Sequence, residues 1–333
     1  MADKELSLKD IWLAKKLISP YVPKSPLIYS PALSEAAGAS VHLKLENMNP
    51  SGSFKIRGAA NRILSLSEKE RERGITTFST GNFGLSVAYM AKKLGIKAVI
   101  CISKRVPNGK VEALQTSGAT VEIYGESQDD AEARSYELER EEGFTVIHPF
   151  DDSHIIAGQG TIGLELFEDL PEVNTVLGGL SGGGLHSGLG VALKETNPRI
   201  WLVGLSTANG AAMYASLQAG KPVEIEENNT LADSLLGGIG LHNQYTFQMV
   251  QKYVDELLLM NEQEFADGMT FMLDQHKMII EGAAASGIGA LLHQKVKPGS
   301  QVAVIVTGSS VDTTVIQKLM KQSENMQGGF LHE

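Results

Sequence analysis

Short apolar runs and helix-spaced apolar positions alternate through the first half of the chain. Runs rich in Val, Ile and Thr predict strands at 75–79, 97–102, 119–124 and 145–147. Between them, apolar residues at helical spacing predict helices at 84–94, 107–117 and 128–142, the last one capped by Ser127. A regular strand–helix alternation is typical of a parallel sheet with right-handed crossovers.

The alternation returns in the second half, with predicted strands at 174–180, 201–206 and 301–306 and predicted helices at 184–195 and 311–321. We therefore predict an α/β protein with two lobes, whose parallel sheets are flanked by helices. The predicted small domain, 50–148, is inserted into a large domain made of 1–49 plus 149–321. The polar residues 322–333 are predicted to form a flexible tail.

Composition narrows the class of protein. The 333 residues are 42% hydrophobic, and the net charge of −10 argues against nucleic acid or an anionic membrane surface as a partner. Cys101 is the only cysteine, which excludes an internal disulfide and a cysteine-cluster metal site, and its apolar neighbours predict a buried strand position. The N-terminus lacks the pattern of a signal peptide, and no apolar run approaches the roughly 20 residues of a membrane span. We expect a cytoplasmic protein.

Two segments of the first half carry candidate chemistry. In segment 50–58, Lys55 follows a Gly-Ser turn and lies between Phe54 and Ile56. A lysine at a helix start among apolar neighbours has a lowered pKa and can serve as an amine nucleophile, although its spacing alone favours a solvated helix lysine. Segment 79–84 joins a strand to a helix, where helix N-terminal amides suit a carboxylate, or where the residues form a simple capped turn.

Two further segments lie in the second half. The glycines of segment 178–184 follow a strand and open a helix, which predicts a phosphate site, although no dinucleotide fingerprint fits the loop. The same loop contains a Gly-x-Ser-x-Gly pattern around Ser181, so a serine hydrolase with Ser181 as its nucleophile stays open. In segment 306–310, the Thr307 hydroxyl can bond a heterocyclic nitrogen or cap a helix. The eight histidines show no metal-ligand spacing, and we predict no metal site.

Together these segments resemble the pyridoxal-phosphate-dependent threonine/serine dehydratase family, which has the tryptophan-synthase-β-like fold, called fold type II. The stretches Leu-Lys-Leu-Glu-Asn at 43–47 and Ser-Gly-Ser-Phe-Lys-Ile-Arg-Gly-Ala at 51–59 resemble the lysine segment of that family. The other three segments follow in the family's order, and the resemblance runs from about residue 20 to residue 321. The ordered set is specific to the fold, whereas each motif alone is not.

The resemblance implies a role for each matching residue. Lys55 corresponds to the lysine that holds the cofactor and removes the substrate's α-proton, and Thr80 corresponds to a serine that serves as the second acid in racemases. The implied cofactor-binding residues are Lys55, Phe54, Asn82, Gly182, Gly183, Gly184, Leu185, Thr307 and Glu281. The implied substrate-binding residues are Ser79, Thr80, Gly81 and Phe83.

The implied activity is β-elimination from a β-hydroxy amino acid such as L-threonine or L-serine, which yields a 2-oxo acid and ammonia in a homodimeric enzyme. An amino-acid racemase is the alternative within the fold, and a ligand-binding protein with no need of Lys55 is a weaker one. Phe83 departs from the histidine of many members. The racemases' cation ligands correspond to Leu205 and Gly210, which again predicts no metal.

A closer branch is indicated by segments 106–113, 127–131, 149–152, 157–161 and 237–241, which are similar to those of the hydroxyectoine-utilisation dehydratases. Several of these segments are shared by the whole family. The branch implies a hydroxylated substrate from hydroxyectoine breakdown.

Overall fold

The computed structural model describes residues 5–79, 81–106 and 108–328. Its strands are β1 (Leu27–Tyr29), β2 (Ser40–Leu45), β3 (Ile75–Thr77), β4 (Ala98–Ile102), β5 (Thr120–Ile123), β6 (Thr145–Val146), β7 (Thr175–Gly179), β8 (Trp201–Thr207), β9 (Glu256–Met260) and β10 (Gln301–Val306). Its α-helices are α1 (Leu8–Ile18), α2 (Pro31–Ala37), α3 (Lys55–Leu64), α4 (Glu68–Arg73), α5 (Asn82–Leu94), α6 (Asn108–Thr116), α7 (Gln128–Glu142), α8 (Ser153–Asp169), α9 (Gly184–Thr196), α10 (Ala212–Ala219), α11 (Thr246–Tyr253), α12 (Glu262–His276), α13 (Gly282–Leu292) and α14 (Thr313–Gly328). Short 3₁₀ turns lie at Glu46–Met48 and Asp233–Leu235.

The larger sheet has six strands in the order β1-β2-β10-β7-β8-β9, and only the β1–β2 pair is antiparallel. Strand β10 is central, because Val302 pairs with Val41 of β2 on one side and with Thr175 of β7 on the other. The residues of β10 after Gln301 are all buried, as expected for a parallel strand covered on both faces. Thr307 follows directly at the carboxyl end of this strand.

The smaller sheet is parallel throughout and has four strands in the order β5-β4-β3-β6. All residues of β4 are buried, which confirms the predicted strand position of Cys101. Strand β3 is flanked by β4 and β6, so its carboxyl end lies in the middle of the sheet edge. Ser79, Asn82 and His148 all follow strands that end at this edge.

Capping side chains define the starts of helices α7 and α8. The Ser127 hydroxyl accepts the N–H of Asp130, and the Asp130 carboxylate accepts the N–H of Ser127, so a capping box opens α7 as predicted. The Asp152 carboxylate accepts the N–H groups of His154 and Ile155 and starts α8.

Helices α3, α8 and α9 cross at glycines. A Cβ on Gly158 of α8 would lie 2.6 Å from the Cα of Gly58 on α3, and a Cβ on Gly188 of α9 would lie 2.5 Å from the amide nitrogen of Gly160 on α8. Larger residues would force the helices apart, since close-packed backbones leave no room for a methyl group. Because α3 begins at Lys55 and α9 begins at the glycine loop, this packing sets the separation of the two segments.

The predicted strands and helices are all present, and their ends differ from the predicted ends by a few residues. The exception is α14, which begins at Thr313 and continues to Gly328 instead of ending at 321. The predictions omit several elements, among them β9, α8, α12 and α13. The sequence of α13 is apolar on every face and has no amphipathic period. The strands of the smaller sheet fall inside 50–148, and the domain limits and the flexible tail stay predictions. Within the described ranges, no helix combines the length and the apolarity that crossing a membrane requires.

Candidate active site

A cavity of about 710 Å³ lies where the carboxyl ends of the two sheets face each other. Its lining contains nearly all the predicted site residues: Phe54, Lys55, Ser79, Gly81, Asn82, Phe83, Gly182, Gly183, Gly184, Leu185, Glu281 and Thr307. Thr80 lies outside the described residues. A separate, more open hollow of about 540 Å³ near Tyr29 and Glu35 contains none of the predicted site residues.

Lys55 is held at the cavity wall by the end of the central strand. The backbone N–H of Phe54 donates to the Thr307 carbonyl at 3.0 Å, and Ser53 forms a β-bridge with Gly308. The Lys55 Nζ lies 5.1 Å from the centre of the Phe54 ring and 5.9 Å from that of the Phe83 ring. Burial lowers the pKa of Lys55 to about 8, against the opposing effect of the Glu281 carboxylate. This shift agrees with the lowering that its apolar neighbours predict.

The glycine loop makes a tight anion site. Strand β7 ends at Gly179, α9 starts at Gly184, and Gly183 adopts a left-handed conformation with φ 88°. A Cβ on Gly182 would lie 2.6 Å from the Phe150 ring, so only glycine fits there. The first N–H groups of α9 have no partner within the helix, and with the helix dipole they attract a phosphate.

Thr307 and Asn82 line the cavity, and the Thr307 Oγ1 and the Asn82 Oδ1 are buried without a partner among the described residues. The Asn82 Nδ2 donates to both oxygens of the Glu281 carboxylate, at 2.9 and 2.8 Å. Burial raises the pKa of Glu281 to about 7, the Asn82 hydrogen bond opposes the shift, and the charge of Asp233 adds to it. Unpartnered buried groups of this kind call for a ligand. An amine, a glycine cradle and two free polar atoms fit a flat heterocycle with a phosphate arm.

A buried ionic cluster beneath Lys55 was not predicted from the sequence. The Arg57 guanidinium binds the Glu46 carboxylate at 2.7 Å and the Glu165 carboxylate at 2.6 Å, and the Lys44 ammonium binds Glu165 at 2.6 Å. Burial alone would raise the pKa of Glu165, but the charges of Arg57 and Lys44 outweigh it and keep that pKa below its usual value. The cluster ties the start of α3 to β2 and α8. No local pattern in the sequence reveals it, since Lys44 and Glu165 are 121 residues apart.

His148 is a second residue that the sequence analysis missed. Its Nδ1 accepts the backbone N–H groups of Asp151 at 2.9 Å and of Phe150 at 3.3 Å, and its ring lines the cavity. Burial lowers the pKa of His148 to about 4, opposed by Asp151 and Asp152. Its place directly after the predicted strand 145–147 was the available signal, because such positions meet at one sheet edge.

The arrangement of Ser181 does not suit a nucleophile. Its hydroxyl donates to the Leu236 carbonyl at 3.3 Å, and no histidine within the described ranges hydrogen-bonds it. The histidine nearest in sequence, His186, is buried with its Nε2 near the Val203 carbonyl at 3.3 Å. Burial lowers the pKa of His186 to about 4, so it stays neutral. Among the described residues, the hydrolase alternative therefore has no histidine placed to act as the base for Ser181.

Comparisons with known proteins agree with this geometry. The profile of a family described as pyridoxal-phosphate dependent enzyme matches residues 18–308. Over 308 residues the chain is 47% identical to a Sinorhizobium fredii protein that is provisionally named a threonine dehydratase. The alignment covers 92% of this chain and 93% of that protein. It is 40% identical over 317 residues to an L-threonine ammonia-lyase of Thermotoga maritima, in an alignment that covers 95% of this chain and 79% of that protein.

A solved structure of maize serine racemase superposes with a TM-score of 0.89 at 32% identity, covering 97% of this chain and 100% of that one. The family match spans most of the chain, and the cavity contains the amine, the glycine cradle and the free polar atoms that pyridoxal phosphate needs. The chain belongs to the family of pyridoxal-phosphate-dependent enzymes of fold type II, and it is a lyase of that family.

Proposed function

We propose that the enzyme eliminates water from a β-hydroxy amino acid, L-threonine or L-serine, and releases a 2-oxo acid and ammonia. The observation that carries the proposal is the pairing of Lys55, a buried amine, with the free hydroxyl of Thr307 across one cavity. The relative from Thermotoga maritima, an L-threonine ammonia-lyase, supports the same substrate class.

Each cofactor-binding role follows from local chemistry. The glycine loop and the start of α9 would hold the phosphate, and Asn82 would contact the ring hydroxyl. The Thr307 hydroxyl would hydrogen-bond the ring nitrogen without supplying a full charge, whereas a carboxylate there would keep that nitrogen protonated. When bound, pyridoxal phosphate supplies an electron-withdrawing ring that stabilises negative charge on the substrate's α-carbon.

The protein's own residues then move the proton and place the substrate. Because its pKa is about 8, an appreciable share of Lys55 is neutral near pH 7.5 and can accept the α-proton. Phe54 and Phe83 cover this amine and exclude water from it. Ser79 and Gly81, before the N-terminus of α5, would bind the substrate carboxylate.

The test is a product assay of the purified protein with pyridoxal phosphate and L-threonine, L-serine or a hydroxyectoine-derived amino acid. The proposal expects equal yields of 2-oxo acid and ammonia from threonine or serine, and none from the Lys55→Ala variant. A yellow protein that forms neither product from any of these substrates would contradict it. Preference for the hydroxyectoine-derived compound would place the enzyme in that branch.

Racemisation is the second candidate, and the similarity to maize serine racemase favours it. It requires an acid on the second face of the substrate, for which Thr80 is the candidate. Chiral analysis of residual serine measures it directly. If the enzyme racemises, Thr80→Ala should abolish racemisation and leave elimination intact.

We further propose a homodimer located in the cytoplasm, as the resemblance to the family implies. Sedimentation velocity of the purified enzyme tests the homodimer, and a monomer at micromolar concentration would contradict it. Fractionation of the source cells tests the location.

A further inference from the structure

His148 lies at the sheet edge beside the substrate loop. The backbone N–H of Ile147 donates to the Thr76 carbonyl at 2.8 Å, and the Thr77 hydroxyl donates to the Ile147 carbonyl at 2.9 Å. This pairing puts His148 next to Phe78 and hence beside Ser79. Its ring packs edge-on between Phe78 and Phe150, with centroid distances of 5.6 and 4.8 Å. The ring is therefore fixed in position before any substrate binds.

The hydrogen bonds of the ring fix its tautomer. The Nδ1 accepts two backbone N–H groups, so it carries no proton, and in the neutral ring the proton resides on Nε2. The charged groups that act on the ring are Asp151, Asp152 and Lys55, and burial outweighs the two carboxylates. Nε2 makes no hydrogen bond within the described ranges, and the ring lines the cavity. His148 thus offers a fixed, uncharged N–H donor to whatever occupies the cavity.

We propose that the Nε2–H of His148 donates a hydrogen bond to the carboxylate of the bound amino acid. This inference rests on the proposed function and names a further substrate-binding residue for it. A carboxylate has about four acceptor positions, so it can accept from more than one donor. Ser79, Gly81 and His148 all line the cavity, and Ser79 and His148 follow strands that end at the same sheet edge. The neighbouring Phe83 is apolar, so it offers this carboxylate no hydrogen bond.

Two substitutions distinguish the roles of the two imidazole nitrogens. His148→Asn keeps an acceptor near the Nδ1 position for the backbone N–H groups and removes the donor at Nε2. His148→Gln keeps a donor near the Nε2 position. The matched control is His154→Asn, at an exposed position. Thermal denaturation of each holoenzyme shows whether the fold is kept.

The expected result is a rise in the KM for L-threonine of about 10- to 100-fold in His148→Asn, with kcat within about 3-fold, since hydrogen bonds to charged groups have this strength. His148→Gln should recover most of the loss. Because the donor is neutral, the KM of the parent enzyme should not follow a histidine titration near pH 6.5. Long-range proton–nitrogen NMR should report the Nε2–H tautomer between pH 6 and 8.

Spectral titration with L-alanine separates this inference from the function itself. L-Alanine has the carboxylate but no β-hydroxyl and cannot undergo elimination, so its affinity reports on His148 even if the proposed activity is absent. We expect His148→Asn to weaken the binding of L-alanine by the same factor as it raises the KM for L-threonine. Unchanged L-alanine affinity would assign the donor to the β-hydroxyl, and reduced affinity for pyridoxal phosphate would assign it to the phosphate. Either result would overturn the proposal.

Discussion

The ionic cluster beneath Lys55 balances its charges, with Lys44 and Arg57 positive and Glu46 and Glu165 negative. Each side chain is at most 4% exposed, so solvent cannot screen an imbalance. Glu165→Gln keeps the shape of the side chain and leaves one unbalanced positive charge. Removing one partner of a buried ion pair costs roughly 3–5 kcal/mol, because the remaining charge stays desolvated. We expect a loss of this size in the free energy of unfolding.

A paired substitution distinguishes charge balance from the number of hydrogen bonds. In the double variant Lys44→Met with Glu165→Gln, Arg57 and Glu46 remain as a neutral pair at 2.7 Å. The double variant should therefore be more stable than Glu165→Gln alone, although it has lost more contacts. Glu168→Gln is the control on the same helix. Its side chain is 40% exposed and pairs with Lys15 and, at 3.2 Å, with Lys24, so losing its charge at this exposed position should cost less than about 1 kcal/mol.

Urea unfolding followed by far-UV circular dichroism, with matched m-values, measures these differences. The reasoning is refuted if Glu165→Gln costs no more than Glu168→Gln. It is also refuted if the double variant is less stable than Glu165→Gln alone.

Three further predictions concern the cavity. The rate at which apoenzyme captures pyridoxal phosphate should rise with pH, with its midpoint near pH 8, and then level off, because only the neutral amine of Lys55 reacts and its pKa is about 8. A midpoint near 10.5 would contradict the burial effect. Thr307→Val should weaken cofactor binding about 3- to 10-fold in a fluorescence titration without destabilising the apoenzyme, since the hydroxyl has no partner among the described residues. Gly182→Ala should abolish tight cofactor binding because its Cβ would lie 2.6 Å from the Phe150 ring, whereas Gly238→Ala, with nothing within 4 Å of its Cβ, should bind normally.

The sequence alone was sufficient to predict those elements whose determinants lie in consecutive residues. The capping box at Ser127, the strand before the glycine loop and the helix after it are written in consecutive residues, and each is present in the structure. The candidate site could also be assembled, because residues that follow parallel strands meet at one edge. The position of Thr307 at the end of the central strand is one example.

The remaining features depend on contacts between distant segments. Asn82 and Glu281 are 199 residues apart, so neither the hydrogen bonds that orient the amide nor the raised pKa of the carboxyl can be derived from spacing. The donor role of His148 depends on which ring nitrogen accepts the backbone N–H groups, which is a matter of side-chain orientation. Helix α13 has no polar face, so the spacing of its apolar residues does not identify it as a helix before its packing neighbours are known.

The claim on which the account depends is that Lys55 holds the cofactor. Borohydride reduction of the holoenzyme, followed by proteolysis and mass spectrometry, fixes the pyridoxyl group to the lysine that binds it. We expect the added mass on the peptide that contains Lys55 and on no other. Modification of Lys110, the other lysine of the cavity lining, or of no lysine at all would contradict it.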